Sequence, residues 1–214
     1  MPAQDELPAN EMDWTVRADR AVLLIHDMQQ YFLNFFPSGQ PLDTLVDNVV
    51  RLRTAAVRAG VPVVYTAQPG GMTQDERGLL RDIWGPGMDK DPAKRRVVPE
   101  LAPGKDDLVL TKWRYSAFAR SPLSDHLRAL GRDQLIVAGV YAHVGCLMTA
   151  AAAYERDIQA FLVADAIADF DAEYHRMALR YAAERCAMTV PTASVIGKLT
   201  ARTANERLLH SGGK

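Results

Sequence analysis

The sequence AVLLIHD at residues 21–27 joins a run of five apolar residues to a histidine and an aspartate. A strand that is apolar without alternation suits the interior of a parallel sheet that helices cover on both faces. In such open sheets, ligands bind beyond the carboxyl ends of the strands. The apolar run therefore predicts the fold class, and the histidine and aspartate at its end predict one edge of a ligand site.

Strands and helices alternate along the rest of the chain. Apolar side chains at helical spacing predict a helix over 42–59 that Gly60 ends. Thr73, with Glu76 three residues later, has the pattern of a capping box at the start of a short helix. The alternation predicts an α/β fold, with an open six-stranded, mostly parallel sheet and helices on both faces. The other predicted strands are 61–67, 108–111, 134–140, 160–164 and 187–190, and the other predicted helices are 122–130, 143–156, 172–185 and 192–199.

The two ends of the chain differ in composition from its middle. Residues 1–18 are predicted to form an arm that covers the domain or a partner subunit. Residues 19–200 form the predicted α/β domain. Within that domain, residues 83–106 are rich in proline, glycine and charge, and we expect a long surface loop there. Residues 201–214 are expected to form a polar tail that frays.

The composition of the 214 residues narrows the class of protein. The net charge is −1 with acids and bases interleaved, which argues against nucleic acid or an anionic membrane surface as the main partner. The N-terminus does not resemble a signal peptide, and no apolar run approaches the ~20 residues of a membrane span. Two cysteines, Cys146 and Cys186, are too few for a disulfide framework and predict reduced thiols in a cytoplasmic protein.

Three residues capable of chemistry stand at three predicted strand ends, namely Asp27, Lys112 and Tyr141. An acid, a cation and a phenol that converge on an apolar scaffold predict a reaction site. Partial desolvation raises the pKa of a carboxyl group at a strand mouth and suits Asp27 to act as an acid, although an N-cap is an equal alternative. A cation in contact would lower that pKa, and Lys112 could instead be a lysine that buries only its stem.

Two polar residues, Gln68 and Arg77, flank the end of the second strand. Arginine suits bidentate recognition of a carboxylate, but an exposed helix face is the favoured interpretation of Arg77 taken alone. Gly145 lies where a strand turns into a helix, so a ligand can approach its backbone, and free N–H groups there can bind a carboxylate. Close packing of helix on sheet is the alternative for this glycine. Cys146 has apolar neighbours and is interpreted as a buried, unreactive thiol.

No metal or nucleotide site is predicted. The five histidines show no paired metal-ligand spacing, and the two cysteines are far apart in the sequence. No glycine-rich phosphate loop follows the first strand, which weakens any interpretation as a nucleotide-binding protein. The chain is therefore expected to work without a metal and without a cofactor.

Six longer segments carry a resemblance to a known family: LLIHDMQQYF at 23–32, YTAQPGGMT at 65–73, RGLLRDIWGPGM at 77–88, LTKWRYSAF at 110–118, GRDQLIVAGVYAHVGC at 131–146 and FLVADAIADF at 161–170. The chain resembles the isochorismatase family, within a wider superfamily of cysteine-hydrolase-like enzymes, from about Leu7 to Val195. The resemblance implies a hydrolase domain over 19–200, a six-stranded parallel sheet and assembly as a homodimer.

Thiol enzymes of that superfamily use an aspartate, a lysine and a cysteine. The resemblance places the first two on Asp27 and Lys112 and the third on Gly145, so a covalent thioester route is unavailable. It implies instead the hydrolysis of an enol-pyruvyl (vinyl) ether, with Asp27 as proton donor and Lys112 as the group that positions Asp27 and the substrate. The other implied substrate contacts are Gln68, Arg77, Tyr141 and the backbone at Gly145, with Phe32 and Trp84 along an apolar wall.

Three segments, TAQPGGMT, RGLLRDIWGPGM and HRMALRYAAERCAM, look most like the stand-alone phenazine-pathway members of the family. Those members imply a small chorismate-derived dicarboxylate as substrate, 2-amino-2-deoxyisochorismate, which yields trans-2,3-dihydro-3-hydroxyanthranilate and pyruvate. The first alternative is isochorismate, the substrate of the siderophore-pathway members, which yields 2,3-dihydro-2,3-dihydroxybenzoate. A nicotinamidase-like thiol amidohydrolase that uses Cys146, and a non-catalytic binding protein, rank lower.

Overall fold

The computed structural model of the chain describes Met1 and residues 6–211, with side chains up to Ala201. The strands are β1 (Ala21–His26), β2 (Val63–Ala67), β3 (Leu108–Thr111), β4 (Gln134–Val140), β5 (Gln159–Ala168) and β6 (Ala187–Val190). The α-helices are α1 (Gln30–Leu33), α2 (Leu42–Arg58), α3 (Gln74–Arg77), α4 (Leu80–Trp84), α5 (Pro92–Arg95), α6 (Leu123–Ala129), α7 (Leu147–Tyr154), α8 (Ala172–Arg185) and α9 (Thr192–Ser211). Within the described residues, the six strands are all parallel and follow the order β3-β2-β1-β4-β5-β6. The predicted α/β fold is therefore confirmed.

The strand β1 lies in the middle of the sheet and is buried along its whole length. Its side chains alternate between the two faces, as the pleat of a strand requires. Leu23 and Ile25 join the core cluster formed with α2 and α9, whereas Val22 and Leu24 join the cluster formed with α6, α7 and α8. Each such side chain contributes roughly 1.5–3 kcal/mol through its burial. Helices cover both faces, which explains why this strand shows no polar alternation.

The strand β5 is longer than the sequence predicts, because it runs from Gln159 to Ala168 rather than over 160–164. Asp165 interrupts the apolar run and hides the continuation. Its Oδ1 accepts hydrogen bonds from the backbone N–H and the hydroxyl of Thr192 at 2.7 Å each. A carboxylate that is satisfied in this way can lie within a buried strand. The predicted β2 is in turn too long by two residues at its start, where Pro62 cannot donate to a ladder.

Two predicted helices have different bounds in the structure. The helix predicted over 143–156 is divided into a π-helical turn at Ala142–Cys146 and the α-helix α7. The last helix does not end at 199 but continues to Ser211, into the segment predicted as a polar tail. No glycine or proline lies between residues 198 and 211, so the sequence contains no strong stop signal there. Residues 212–214 of the predicted tail lie outside the described residues.

The N-terminal arm lies along the edge formed by β6 and α8. Asn10 Nδ2 donates to the carbonyl oxygen of Thr189 at 3.0 Å, and the Thr189 N–H donates to Asn10 Oδ1 at 2.6 Å. The N–H of Glu11 donates to the carbonyl oxygen of Ala183 at 3.1 Å. These bonds satisfy backbone groups at a strand edge that would otherwise be open. Residues 2–5 of the arm lie outside the described residues.

The segment 83–106, predicted as a long surface loop, contains a short helix and a buried side chain. It contains α5, which Asp91 caps by accepting the N–H of Ala93 at 2.9 Å. Leu101 is fully buried, and the N–H of Val98 donates to the carbonyl oxygen of Met28 at 3.0 Å. Helical turns of four residues are too short to show periodicity, which is why the sequence pattern missed them. None of the helices in the described part of the chain is both long and apolar enough to cross a bilayer.

Candidate active site

A pocket of about 300 Å³ lies at the carboxyl ends of β1, β2, β3 and β4. All of the residues that the sequence predicts for the site line this pocket. A parallel sheet brings them together because each follows a strand, or packs on a segment that does. They are Phe32, Asp27, Gln68, Arg77, Trp84, Lys112, Tyr141 and Gly145.

Asp27 lies at the closed end of the pocket and is only 4% exposed. Nζ of Lys112 donates to Oδ2 of Asp27 at 2.8 Å, and Oγ1 of Thr66 donates to Oδ1 at 2.6 Å. Burial by itself raises the pKa of the Asp27 carboxyl group. The Lys112 ammonium and the two hydrogen bonds outweigh burial and hold the pKa below its ordinary value. Asp27 is therefore ionised in this arrangement at neutral pH.

Lys112 is buried rather than solvated at its tip. Its side chain is 3% exposed, and its backbone N–H donates to the carbonyl oxygen of Ala67 at 2.9 Å. The alternative that only its stem is buried is therefore wrong. A buried ion pair that loses one partner costs about 3–5 kcal/mol, because a charge is left without compensation. The pair with Asp27 thus holds both side chains in place at the sheet edge.

Arg77 is also buried, so the exposed-helix interpretation of this residue is wrong. It is 6% exposed at the end of α3. Its Nη1 donates to Oε1 of Gln68 at 3.2 Å and its Nε to the carbonyl oxygen of Gly85 at 3.1 Å. A Cβ atom on Gly87 would lie 2.7 Å from Cζ of Arg77, so a glycine is needed there. Tertiary packing around the four-residue helix α3 buries a side chain that the local sequence leaves on a polar face.

Gly145 faces the ring of His26 at the position that the family resemblance gives to the nucleophile of thiol enzymes. A Cβ atom at residue 145 would lie 2.1 Å from Cε1 of His26. The His26 ring is fully buried, and its Nδ1 lies 2.8 Å from the carbonyl oxygen of Val140, which makes Nδ1 the proton-bearing nitrogen. Burial lowers the pKa of His26 to about 4, so the ring is neutral at neutral pH. The imidazole thus fills the space that a side chain at residue 145 would need.

The predicted free backbone donor at Gly145 is not present. The Gly145 N–H donates to the carbonyl oxygen of Tyr141 at 3.0 Å, within the turn that starts the π-helical segment. The next residue, Cys146, is fully buried in the core cluster beneath α7 and does not line the pocket. Burial raises the pKa of the Cys146 thiol well above its ordinary value. This environment is that of an unreactive structural cysteine.

Aromatic rings form one wall of the pocket. The ring of Tyr141 lies against Phe170 with centroids 4.1 Å apart, and Phe170 stacks on Trp84 at 5.9 Å. Phe32 meets Tyr141 edge to face at 6.0 Å. The Tyr141 hydroxyl donates to the carbonyl oxygen of Phe32 at 2.7 Å, and burial raises its pKa, so it remains a neutral phenol. Nε1 of Trp84 donates to the hydroxyl of Tyr115 at 2.7 Å.

The sequence pattern gave no role to several residues in or beside the site, among them His26, Thr66, Tyr115 and Phe170. Tyr115 and Phe170 lie within the segments LTKWRYSAF and FLVADAIADF, so the family resemblance was the available signal for both. The strand register pairs Thr66 with His26, one residue before Asp27. That pairing depends on which strands are neighbours, and no local pattern reveals it.

A second buried carboxylate, Asp169, follows β5 behind the aromatic wall. Its Oδ2 accepts the backbone N–H of His143 at 2.6 Å and lies 2.7 Å from Nδ1 of the same residue. Its Oδ1 accepts the N–H of Phe170 at 2.9 Å. Asp169 thereby joins the segment that carries Phe170 to the turn that carries Gly145. Among the described residues, no group of three or more histidine, cysteine, aspartate or glutamate side chains is arranged to hold a metal ion.

Comparison with known proteins agrees with this geometry. Residues 21–194 match the sequence pattern of the isochorismatase domain. The phenazine biosynthesis protein PhzD1 of Pseudomonas aeruginosa is 58% identical over 196 residues, which cover 92% of this chain and 94% of that protein. The isochorismatase of Bacillus subtilis is 53% identical over 200 residues, which cover 93% of this chain and 64% of that protein.

Among solved structures, a cysteine hydrolase from Pseudomonas syringae pv. phaseolicola has the same fold, with a TM-score of 0.81. It is 25% identical to this chain, and the match covers 91% of this chain and 98% of that structure. The chain belongs to the isochorismatase family.

Proposed function

We propose that this protein hydrolyses the enol-pyruvyl ether of 2-amino-2-deoxyisochorismate to trans-2,3-dihydro-3-hydroxyanthranilate and pyruvate. The observation that carries the proposal is a buried Asp27–Lys112 pair in a pocket where Gly145 stands at the position that the family resemblance gives to a nucleophile. The identity of 58% to a phenazine biosynthesis protein supports the phenazine branch of the family. A vinyl ether needs an acid for its hydrolysis and no protein nucleophile, which is what this pocket offers.

The reaction begins with proton transfer from the carboxyl group of Asp27 to the methylene carbon of the vinyl group. The resulting oxocarbenium ion takes up water at the adjacent carbon, and the water's released proton restores the acid. The hemiketal that forms then collapses: the bond between the former vinyl carbon and the ether oxygen breaks, the oxygen stays on the ring and gains the proton that the hemiketal hydroxyl loses, and the products are pyruvate and the ring alcohol. Atoms and charge balance with one water consumed. General-acid help of this kind contributes typically ~10²–10⁴-fold in rate.

Asp27 must gain a proton before it can act, since its pKa is held low in this arrangement. A substrate carboxylate that engages Lys112 draws the ammonium away from Asp27 and adds a negative charge beside it. Both effects raise the pKa of Asp27. The substrate thereby favours the protonated acid that its own hydrolysis requires. Lys112 thus has two proposed roles. It holds Asp27 in place, and its movement to a substrate carboxylate raises the pKa of Asp27.

The other pocket residues are proposed to bind the substrate. Arg77 and Gln68, joined by a hydrogen bond of 3.2 Å, provide donors for the second carboxylate. The rings of Phe32, Trp84 and Tyr141 pack against the faces of the cyclohexadiene ring. An apolar wall with a few fixed polar groups is the usual composition of a small-molecule site.

A paired assay tests this proposal. The purified protein is given 2-amino-2-deoxyisochorismate and, separately, isochorismate, and pyruvate is followed through a coupled dehydrogenase. Faster release from the amino substrate is expected. Faster release from isochorismate would replace the proposed substrate with the siderophore-pathway one. No pyruvate from either compound would overturn the vinyl ether hydrolase.

Isochorismate is the second candidate substrate because the isochorismatase of Bacillus subtilis is 53% identical to this chain. It differs from the first substrate in one ring substituent, a hydroxyl in place of an amine. The product of its hydrolysis would be 2,3-dihydro-2,3-dihydroxybenzoate, with pyruvate released in the same way. A thiol amidohydrolase finds no support, because the one thiol beside the site is buried away from the pocket.

Three further expectations are kept as proposals. The protein is proposed to be a homodimer, with an arm at 1–18, a hydrolase domain at 19–200 and a polar C-terminal segment at 201–214 whose residues up to Ser211 continue the last helix. It is proposed to work in the cytoplasm, and its two free, buried cysteines support a reducing compartment. Light scattering after gel filtration is expected to give twice the mass of one chain, and the mass of a single chain would contradict the dimer.

A further inference from the structure

Thr66 holds the carboxyl group of Asp27 at the oxygen that Lys112 leaves open. Oγ1 of Thr66 donates to Oδ1 of Asp27 at 2.6 Å, whereas Nζ of Lys112 donates to Oδ2 at 2.8 Å. A hydroxyl group has a single hydrogen, and the hydrogen of the Thr66 hydroxyl is donated to Oδ1 of Asp27. The two oxygens of the carboxyl group are therefore distinguished by their partners.

Thr66 also binds the backbone of Asp27. Its Oγ1 accepts the N–H of Asp27 at 3.1 Å. Asp27 has a φ of 51°, in the left-handed region that residues other than glycine rarely adopt. Such a conformation persists where the surrounding structure determines it. One hydroxyl thus holds the backbone and the carboxyl group of Asp27 together.

Thr66 itself does not contact the pocket. It lies in β2, is 1% exposed, and is paired in register with His26 of β1. It is absent from the residues that line the cavity. Any effect of Thr66 on a reaction in the pocket must therefore act through Asp27.

We infer that Thr66 is a positioning residue that reserves Oδ2 of Asp27 as the oxygen that carries the acid proton. The inference rests on the proposed vinyl ether hydrolysis. A proton on Oδ1 would have to displace the Thr66 hydrogen and would be directed at Thr66 instead of the substrate. Oδ2 becomes free to take up a proton when Lys112 turns to a substrate carboxylate. Oδ2 then donates that proton to the methylene carbon.

The bond from Thr66 also bears on the titration of Asp27. It stabilises the ionised carboxyl group and contributes to the lowered pKa, together with the nearby Lys112. The titratable groups that lower the pKa of Asp27 are Lys112 at the end of β3 and His26 on β1. Tyr141 after β4 and Cys146 beneath α7 also interact with the Asp27 charge, and Arg77, Tyr31 and Tyr115 line the same pocket. Loss of the Thr66 hydroxyl should therefore raise the pKa of Asp27 as well as free its carboxyl group to rotate.

The test compares Thr66→Val, which removes the hydroxyl at nearly constant volume, with Thr66→Ser, which keeps the hydroxyl and removes the methyl group. Steady-state kinetics of pyruvate release are measured from about pH 5 to about pH 9, a range that brackets the pKa of an acid that acts near neutral pH. In Thr66→Val, kcat is expected to fall about 10²-fold with little change in KM, because the acid is misplaced while substrate contacts remain. The descending limb of kcat should move to higher pH, because loss of the hydrogen bond raises the pKa of Asp27. Thr66→Ser should keep both the rate and the pH limb of the unmodified protein.

Two kinetic results would overturn the inference. One is a Thr66→Val variant with unchanged kcat and an unchanged pH limb. The other is a Thr66→Ser variant that loses as much activity as Thr66→Val with the limb unmoved, since the methyl group and not the hydroxyl would then be responsible. A crystal structure of Thr66→Val supplies a readout that needs no turnover. A rotated Asp27 carboxyl group supports the inference, and an unchanged one overturns it, even if the unmodified protein releases no pyruvate and the proposed function fails.

Discussion

Asp27 and Asp169 are both buried aspartates that follow strands of the same sheet, but their surroundings differ. Asp169 accepts two backbone N–H groups and also contacts the ring of His143. Asp27 accepts one side-chain hydrogen bond at each oxygen, and it lines the pocket. An ionised carboxyl group has about four acceptor positions, so Asp27 keeps capacity that Asp169 has largely used.

The comparison teaches that burial at a strand end is not enough to identify a catalytic acid. The oxygens of Asp169 accept hydrogen bonds from two backbone segments and hold those segments together, which is a structural role. Asp27 is held by two side chains, one of which, Lys112, can move to a substrate. The same contrast recurs one residue apart at Gly145, which faces the pocket, and Cys146, which faces the core.

The largest effect is expected at the pocket aspartate. Asp27→Asn should lower kcat by about 10²–10⁴-fold, because an amide cannot donate the required proton. KM should change little, since the substrate contacts of Arg77 and the aromatic wall remain. Stopped or continuous pyruvate assays give the rate, and circular dichroism shows whether the fold is kept. A folded variant that stays nearly as active would remove Asp27 from its proposed role.

The second effect concerns the space between Gly145 and His26. Gly145→Cys should lower the free energy of unfolding by about 1–3 kcal/mol, because its Cβ atom would lie where the imidazole is. Urea unfolding measures the loss. The double variant with His26→Val is the matched control, and it should be more stable than the sum of the two single changes predicts. Additive changes, or a Gly145→Cys variant as stable as the unmodified protein, would show that His26 does not occupy the space that a side chain at residue 145 needs.

The third effect is expected at Asp169, where the change should affect stability more than catalysis. Asp169→Asn should lower the free energy of unfolding by about 1–3 kcal/mol, because donors of His143 and Phe170 lose part of their acceptor. Its kcat should fall far less than that of Asp27→Asn. Thermal unfolding and the pyruvate assay are run on both variants side by side. If Asp169→Asn lost turnover as severely as Asp27→Asn at unchanged stability, Asp169 would not have a purely structural role.

The smallest effect is expected at Cys146. Cys146→Ala should leave kcat unchanged, because the thiol is buried in the core with a raised pKa. Iodoacetamide should not label Cys146 in the folded protein, as mass spectrometry can show, and should label it after unfolding in urea. Inactivation of the unmodified protein, together with protection in Cys146→Ala, would contradict this and favour a thiol mechanism.

The sequence alone determined the fold class and the edge of the sheet at which the site lies. Apolar runs such as 21–26 and 134–140 mark buried parallel strands, because helices on both faces leave no position for polar alternation. Asp27 and Lys112 follow such strands, and parallel strands end at a common edge. Chain order and local pattern are sufficient for these conclusions, since both are properties of consecutive residues.

Only the tertiary structure decided how the site residues meet. Arg77 lies on a four-residue helix that carries no periodic signal, and packing against Gly87 buries it. Thr66 reaches Asp27 because β1 and β2 are neighbours in one register, and His26 faces Gly145 because β1 lies beside β4. The contacts of Thr66 with Asp27 and of His26 with Gly145 join residues that are 39 or more positions apart. The register of neighbouring strands and the shape of the packed core create them, and no local stretch of the chain contains that information.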